Sequence, residues 1–106
     1  MADRPTITLT GKSKEKYKFW IFDMDYEFKA QPAVYVVTKC ENDSHTIIYI
    51  GETEDLSERF DNHHKADCFK KKGANRLCAK KVEGGEDART EMETDLIDAY
   101  NPPCNG

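Results

Sequence analysis

Four consecutive apolar residues, Ile47-Ile48-Tyr49-Ile50, stop at Gly51, and the chain beyond them changes its period. A strand-like run that ends on glycine and continues at helical spacing predicts a strand feeding directly into a helix. Thr53, Asp55 and Glu58 suit the start of that helix, with Asp55 as cap and Glu58 reaching back to it. The helix is predicted over Asp55–His64. Leu56, Arg59, Phe60 and His63 then stand at i, i+3, i+4 and i+7 and share one face. Taken alone, Arg59 and His63 on such a face are accounted for by packed stems with their heads in water.

The surrounding chain carries the signals of a small mixed fold. Thr6–Thr10 alternates like a strand, and Gly11-Lys12-Ser13 reads as a turn. Lys16–Asp23 follows, with Tyr17, Phe19 and Ile21 on one face and Lys18, Trp20 and Phe22 on the other. Trp20 and Phe22 read as a secondary core or edge. Ala33–Lys39 is a β-branched strand, Asn42-Asp43-Ser44 a turn, and Thr46–Ile50 the returning strand. Lys65–Asn75 reads as a basic loop, Arg76–Val82 as a weaker strand, and 86–100 as a second helix stopped by Pro102-Pro103. The order predicts an α/β (α+β) sandwich: a small central antiparallel β-sheet flanked by helices, with an extra N-terminal β-hairpin. Residues 1–32 form that extension, packed on a domain spanning 33–106.

Composition narrows the class. At 106 residues, 38% hydrophobic and 34% charged, the chain supports one modest core. No apolar run is long enough to span a bilayer, and the first residues lack the apolar core of a signal peptide. These features predict a cytoplasmic protein. Cys40, Cys68, Cys78 and Cys104 are scattered without a C-x-x-C pair, which predicts free thiols in a reducing compartment. His63, His64 and Cys68 match no usual zinc spacing.

A net charge of −4 argues against a protein that coats nucleic acid generally. The charge is unevenly spread, however. Arg59, Lys65, Lys70, Lys71, Lys72, Arg76, Lys80 and Lys81 outnumber the acids between Ser57 and Lys81, while acids dominate from Glu83 to Asp98. A basic strip of this kind suits phosphate, and a solvated charge block is the alternative. In the second helix, Met92, Leu96, Ile97, Ala99 and Tyr100 give an apolar side, with Glu91, Asp95 and Asp98 on the solvated one. Glu93 stands within the apolar stripe. An inward carboxylate must be ion-paired, hydrogen-bonded or bound to a cation, and Arg59, Arg89 or a loop lysine are its candidate ion-pair partners.

From Ala33 onward the chain resembles the GIY-YIG endonuclease family. Ala33-Val34-Tyr35 stands for the first motif, with alanine where the family usually has glycine, and Tyr49-Ile50-Gly51 is the second, intact. Arg59 lies ten residues beyond Tyr49, His63 a turn later, Glu93 at the place of the metal-binding glutamate, and Asn105 twelve residues on, in the closing tail. His63 matches the restriction-type branch. Glu52 stands where repair-type members carry lysine.

The resemblance implies a metal-dependent DNA endonuclease leaving 5′-phosphate and 3′-hydroxyl ends. Glu93 would hold one Mg²⁺ or Mn²⁺, and Arg59 would meet phosphate with its planar fork of donors. Tyr35 and Tyr49 would line the water's side, Tyr35 being the expected general base. His63 would assist proton transfer or hold Tyr35, and Asn105 would tether the wall of the site. Arg59, Lys65, Lys70, Lys71, Lys72 and Arg76 would contact nucleic acid. The expected partner is duplex or branched DNA, with RNA open, and a second protein or second copy would supply specificity. The competing reading is a weak or inactive module that keeps the fold and binds nucleic acid or protein. Repair, restriction, mobile-element and toxin roles stay open.

Overall fold

The structure, a computed structural model, describes residues 4–58 and 65–105. Among them are five strands, β1 (Thr6–Thr10), β2 (Lys16–Asp23), β3 (Ala33–Glu41), β4 (Ser44–Thr53) and β5 (Arg76–Lys81), and two α-helices, α1 (Ala66–Lys71) and α2 (Gly85–Tyr100). A 3-10 turn, Pro103–Asn105, closes the chain. The strands form one antiparallel sheet in the order β1-β2-β5-β3-β4. The expected architecture is therefore present, and the N-terminal hairpin adds two strands to the same sheet through β2 and β5.

β3 lies between β4 and β5, and its first six residues are buried. That placement explains its near-continuous run of Val and other apolar residues. The β3–β4 hairpin turns on Asn42 and Asp43, both at positive φ (51° and 65°), the backbone that two-residue hairpin loops favour. Two cores lie on the two faces of the sheet. Leu9, Phe19, Val34, Val36, Ile50, Cys78 and Val82 pack with Leu96 of α2 on one. Ala33, Tyr35, Val37, Ile48, Leu77 and Ala79 pack with Leu56, Phe69 of α1 and Cys104 on the other.

The hairpin is tied to α2 by a residue expected in solvent. The Asp95 carboxylate accepts from the Ser13 N–H (2.9 Å), the Ser13 hydroxyl (2.7 Å) and the Tyr17 hydroxyl (2.7 Å). These bonds hold the Asp95 carboxyl below its usual range, while burial and that carboxylate push the Tyr17 phenol up to about 12. Gly11 leaves the space Asp95 occupies, since a Cβ there would collide with the carboxylate. Ala99 and Tyr100, expected on the apolar side, are exposed, and the Tyr100 hydroxyl accepts from the Thr10 N–H.

The region after Gly51 departs from expectation. β4 continues to Thr53, and Asp55–Glu58 form a turn in which the Asp55 carboxylate accepts from the Ser57 N–H and hydroxyl. This is the same side-chain chemistry that caps helices, used here for an Asx turn. The rest of the predicted helix, Arg59 to His64, lies outside the described residues. A helix forms instead within the expected basic loop, where Phe69 alone of Ala66–Lys71 is buried.

The cysteine expectation is corrected as well. Cys68 of α1 is bonded to Cys104 in the 3-10 turn, with Cα atoms 5.9 Å apart, and Cys40 and Cys78 are free. The two cysteines meet because α1 and the tail dock side by side on one face, a proximity that scattered spacing does not reveal. Among the described residues, no helix is long and apolar enough to cross a membrane.

The bond closes a loop across 36 residues, which corresponds to about 3–4 kcal/mol of stabilisation through the unfolded chain. Reduction should lower the unfolding free energy by about that amount. Denatured without reductant, the protein should show only the Cys40 and Cys78 thiols, and all four of its cysteines once reduced. Four reactive thiols before reduction would contradict the pairing.

Candidate active site

The site forms at the outer edge of β4, and a bulge sets it up. Val37 pairs with Tyr49 while Thr38 pairs with Ile47, so Ile48 is an extra residue in β4. The insertion flips the parity of the strand. Ile47 packs on the α2 face, whereas Ile48 and Tyr49 both join the face that holds Tyr35. Tyr35 then pairs with Gly51, and its ring lies across that glycine. A Cβ on Gly51 would stand 2.6 Å from both Cζ and Oη of Tyr35 and 2.8 Å from Cε2 of Tyr49. Glycine is required here by close approach, since side-chain atoms fill the space a Cβ would take.

The two tyrosine rings lie 6.0 Å apart at 33°, and Phe69 of α1 backs Tyr49 at 5.4 Å. The hydroxyls of Tyr35 and Tyr49 share a hydrogen bond. Tyr35 is 4% exposed, and burial first, then Tyr49 and the charges of Glu93 and Glu52, drive its pKa far above the ordinary phenol value. Tyr49 is half-buried; burial and Glu93 also raise its pKa, while the hydrogen bond with Tyr35 opposes them.

Glu93 and Asn105 meet the same strand edge two residues apart. The Asn105 amide brackets Ile50, accepting from its N–H and donating to its carbonyl, each at 2.9 Å. One pleat further, the Glu52 N–H donates to the Glu93 carboxylate. Alternate residues of an edge strand point their backbone groups outward, and these two side chains take the groups that would otherwise stay unpaired there. The expected tethering by Asn105 has this physical form, and the Cys68–Cys104 bond anchors the adjacent residue.

Arg89, expected as a candidate ion-pair partner of Glu93, pairs elsewhere. It is only 6% exposed and donates from Nε to Glu52 at 2.7 Å. It therefore neutralises the acid that replaces a lysine of the repair branch, and it is not a partner of Glu93. Helical spacing held the signal, since Arg89 precedes Glu93 by four residues and Leu96 by seven. Among the described residues no cation pairs with Glu93. Burial, and then the charge of Glu52, raise its pKa against the Glu52 N–H. No three His, Cys, Asp or Glu among the described residues form a ready metal cluster. The donor set fits a hard ion that takes one protein carboxylate and fills its other positions with water and phosphate.

The other expected residues are dispersed. Arg59 and His63 lie outside the described residues. Lys70, Lys71 and Lys72 are exposed at the end of α1, and Lys65 precedes that helix. Arg76 pairs with Thr38 across the sheet, on the face opposite the tyrosines, and its side chain meets Asp23 at 3.9 Å and the Asn75 carbonyl at 2.8 Å. Ala33, in place of the family's glycine, is fully buried in the sheet core.

A family model for the GIY-YIG catalytic domain matches residues 31–106. The chain belongs to the GIY-YIG family, whose nucleases act on nucleic acid and generally depend on a divalent metal. No curated protein and no solved structure matches it.

The raised pKa of Glu93 has a sign that stability can read. A carboxylate whose folded pKa is raised contributes stability that is present below the unfolded value, about 4.3, and is lost as pH rises through the folded value. Glu93→Gln should therefore raise the melting temperature of metal-free protein at neutral pH, and the gain should vanish below about pH 4. Equal melting temperatures at neutral pH would contradict this account of the site.

Proposed function

We propose that this protein is a divalent-metal-dependent endonuclease that hydrolyses DNA phosphodiester bonds to 5′-phosphate and 3′-hydroxyl ends. The observation that carries the reading is the meeting of Tyr35, Tyr49 and Glu93 around Gly51 at one strand edge. Among the described residues Glu93 has no cation, and burial and Glu52 raise the cost of its charge.

Glu93 would hold a single Mg²⁺ or Mn²⁺, which supplies a positive centre against charge developing on the phosphate. Arg59 would grip the phosphate oxygens bidentately. Of the two tyrosines, Tyr35 suits general base chemistry less well than expected from the resemblance, because it is buried. Tyr49 is the more open, and its oxygen is the better placed to accept from the attacking water, with Tyr35 and His63 orienting it. Asn105 keeps Ile50, and thereby Tyr49 and Gly51, in register. Lys65, Lys70, Lys71 and Lys72 would follow the DNA backbone. Action within the cytoplasm, on DNA or on RNA, and with a protein partner or second copy supplying specificity, belongs to the same reading.

Plasmid nicking with Mg²⁺ or Mn²⁺ tests it. Wild type should nick, EDTA and Glu93→Ala should abolish nicking, and Arg59→Ala should slow it about 10²–10³-fold. Tyr49→Phe should cost more than Tyr35→Phe, and the rate should still be rising with pH at about 10, the ordinary phenol value, because burial and Glu93 raise the Tyr49 pKa above it. Nicking that survives Glu93→Ala would overturn the site. Silence on plasmid, branched and single-stranded DNA would favour a binding module that retains the fold.

A further inference from the structure

Register across the sheet joins the N-terminal hairpin to the tyrosines. Thr6 pairs with Trp20, Trp20 with Ala79, Ala79 with Tyr35, and Tyr35 with Gly51, so one row crosses all five strands. Trp20 is thus on the same face as Tyr35, two strands away. Between the two lies Ala79, buried in the same core as Tyr35. Tyr49 on β4 lies one strand further, so at the usual strand spacing it is about 14 Å from Trp20, the rise of about four stacked nucleotides.

Trp20, expected as secondary core or edge, is 39% exposed. α1, Leu56 and the tail cover the part of this face over β3 and β4. Over β1 and the first part of β2, Thr6, Thr8, Lys18 and Trp20 are all exposed, whereas Phe22 beyond them is covered by Arg4, Tyr26 and Phe28. The Lys18 ammonium stands 5.5 Å from the centre of the Trp20 ring. Lys81, paired with Ala33 in the neighbouring row of the same face, is exposed as well, with a surface contact to Glu83.

We infer that Trp20 is a stacking platform for an unpaired nucleobase of the DNA whose scissile phosphate lies at Tyr49 and Glu93. The inference rests on the nuclease reading and names its substrate class: DNA with a single-stranded stretch beside the cut. An open indole flanked by lysines is the combination that binds single strands, the aromatic face taking the base and the cations the phosphates. A cavity of about 530 Å³ on this side, lined by Tyr26, Phe28 and Phe69, has Asp25, Glu27 and Glu58 against Lys70 in its wall and suits phosphate poorly. Trp20, Tyr26 and Phe28 all precede residue 31, where the family match begins.

Trp20 is the chain's one tryptophan, so its fluorescence reports on the platform directly. The test titrates the full chain in EDTA with short oligothymidylate and with duplex DNA, exciting the indole selectively. Saturable quenching is expected with the single strand and not with the duplex. Trp20→Ala should weaken single-strand binding, read by oligonucleotide anisotropy, about 5- to 150-fold, and Trp20→Phe should restore most of it. Wild type that nicks plasmid but shows no quenching, or a Trp20→Ala protein that binds as tightly as wild type, would overturn the platform and leave the nuclease reading standing. Neither nicking nor binding by wild type would overturn both.

Discussion

The ring of Tyr35 lying across Gly51 is the contact on which the rest of the site depends. It requires a residue without a Cβ in β4, and it requires the bulge at Ile48 that turns Gly51 and Tyr49 onto the face of Tyr35. With the ring in place, the outer edge of β4 beside it becomes the point of assembly. Asn105 takes the backbone of Ile50, and Glu93 takes the N–H of Glu52. Residues from the middle and the far end of the chain thus converge on two neighbouring pleats of one strand. The disulfide between Cys68 and Cys104 fastens the last of these segments to α1.

Charge at this edge is arranged asymmetrically. Glu52 lies close enough to Glu93 for its charge to raise the cost of ionising Glu93, yet among the described residues only Glu52 has a cation, the buried Arg89. A structural pair would be satisfied throughout, since removing one partner of a buried ion pair costs about 3–5 kcal/mol. Glu93 is left with backbone donation alone among the described residues. A carboxylate held half-buried in this way has its charge available for an external cation, which is the condition a metal-binding glutamate must meet.

Much of this was legible in the sequence. Alternating and β-branched runs marked all five strands, and the apolar stripe of α2 singled out Glu93. Other features escaped for physical reasons. Asp55 and Ser57 carry the chemistry of a helix cap, but an Asx turn uses the same atoms. α1 buries one side chain among charged neighbours, so it has no stripe to read. A bulge adds a single residue to an already apolar run and leaves no trace in the pattern. Cys68 and Cys104 become neighbours only after two elements dock. Arg89 was expected beside Glu93 and pairs with Glu52, since helical spacing does not say which of two neighbouring carboxylates a cation takes.

The most direct measurement of the central claim is the unfolding free energy and nicking rate of Gly51→Ala. A methyl group at this position must displace the rings of Tyr35 and Tyr49, so the account predicts a loss of about 1–3 kcal/mol in stability, the usual cost of overpacking a core. It predicts the loss of nicking in protein that is still folded. A Gly51→Ala protein as stable and as active as wild type would contradict the claim that this close approach organises the site.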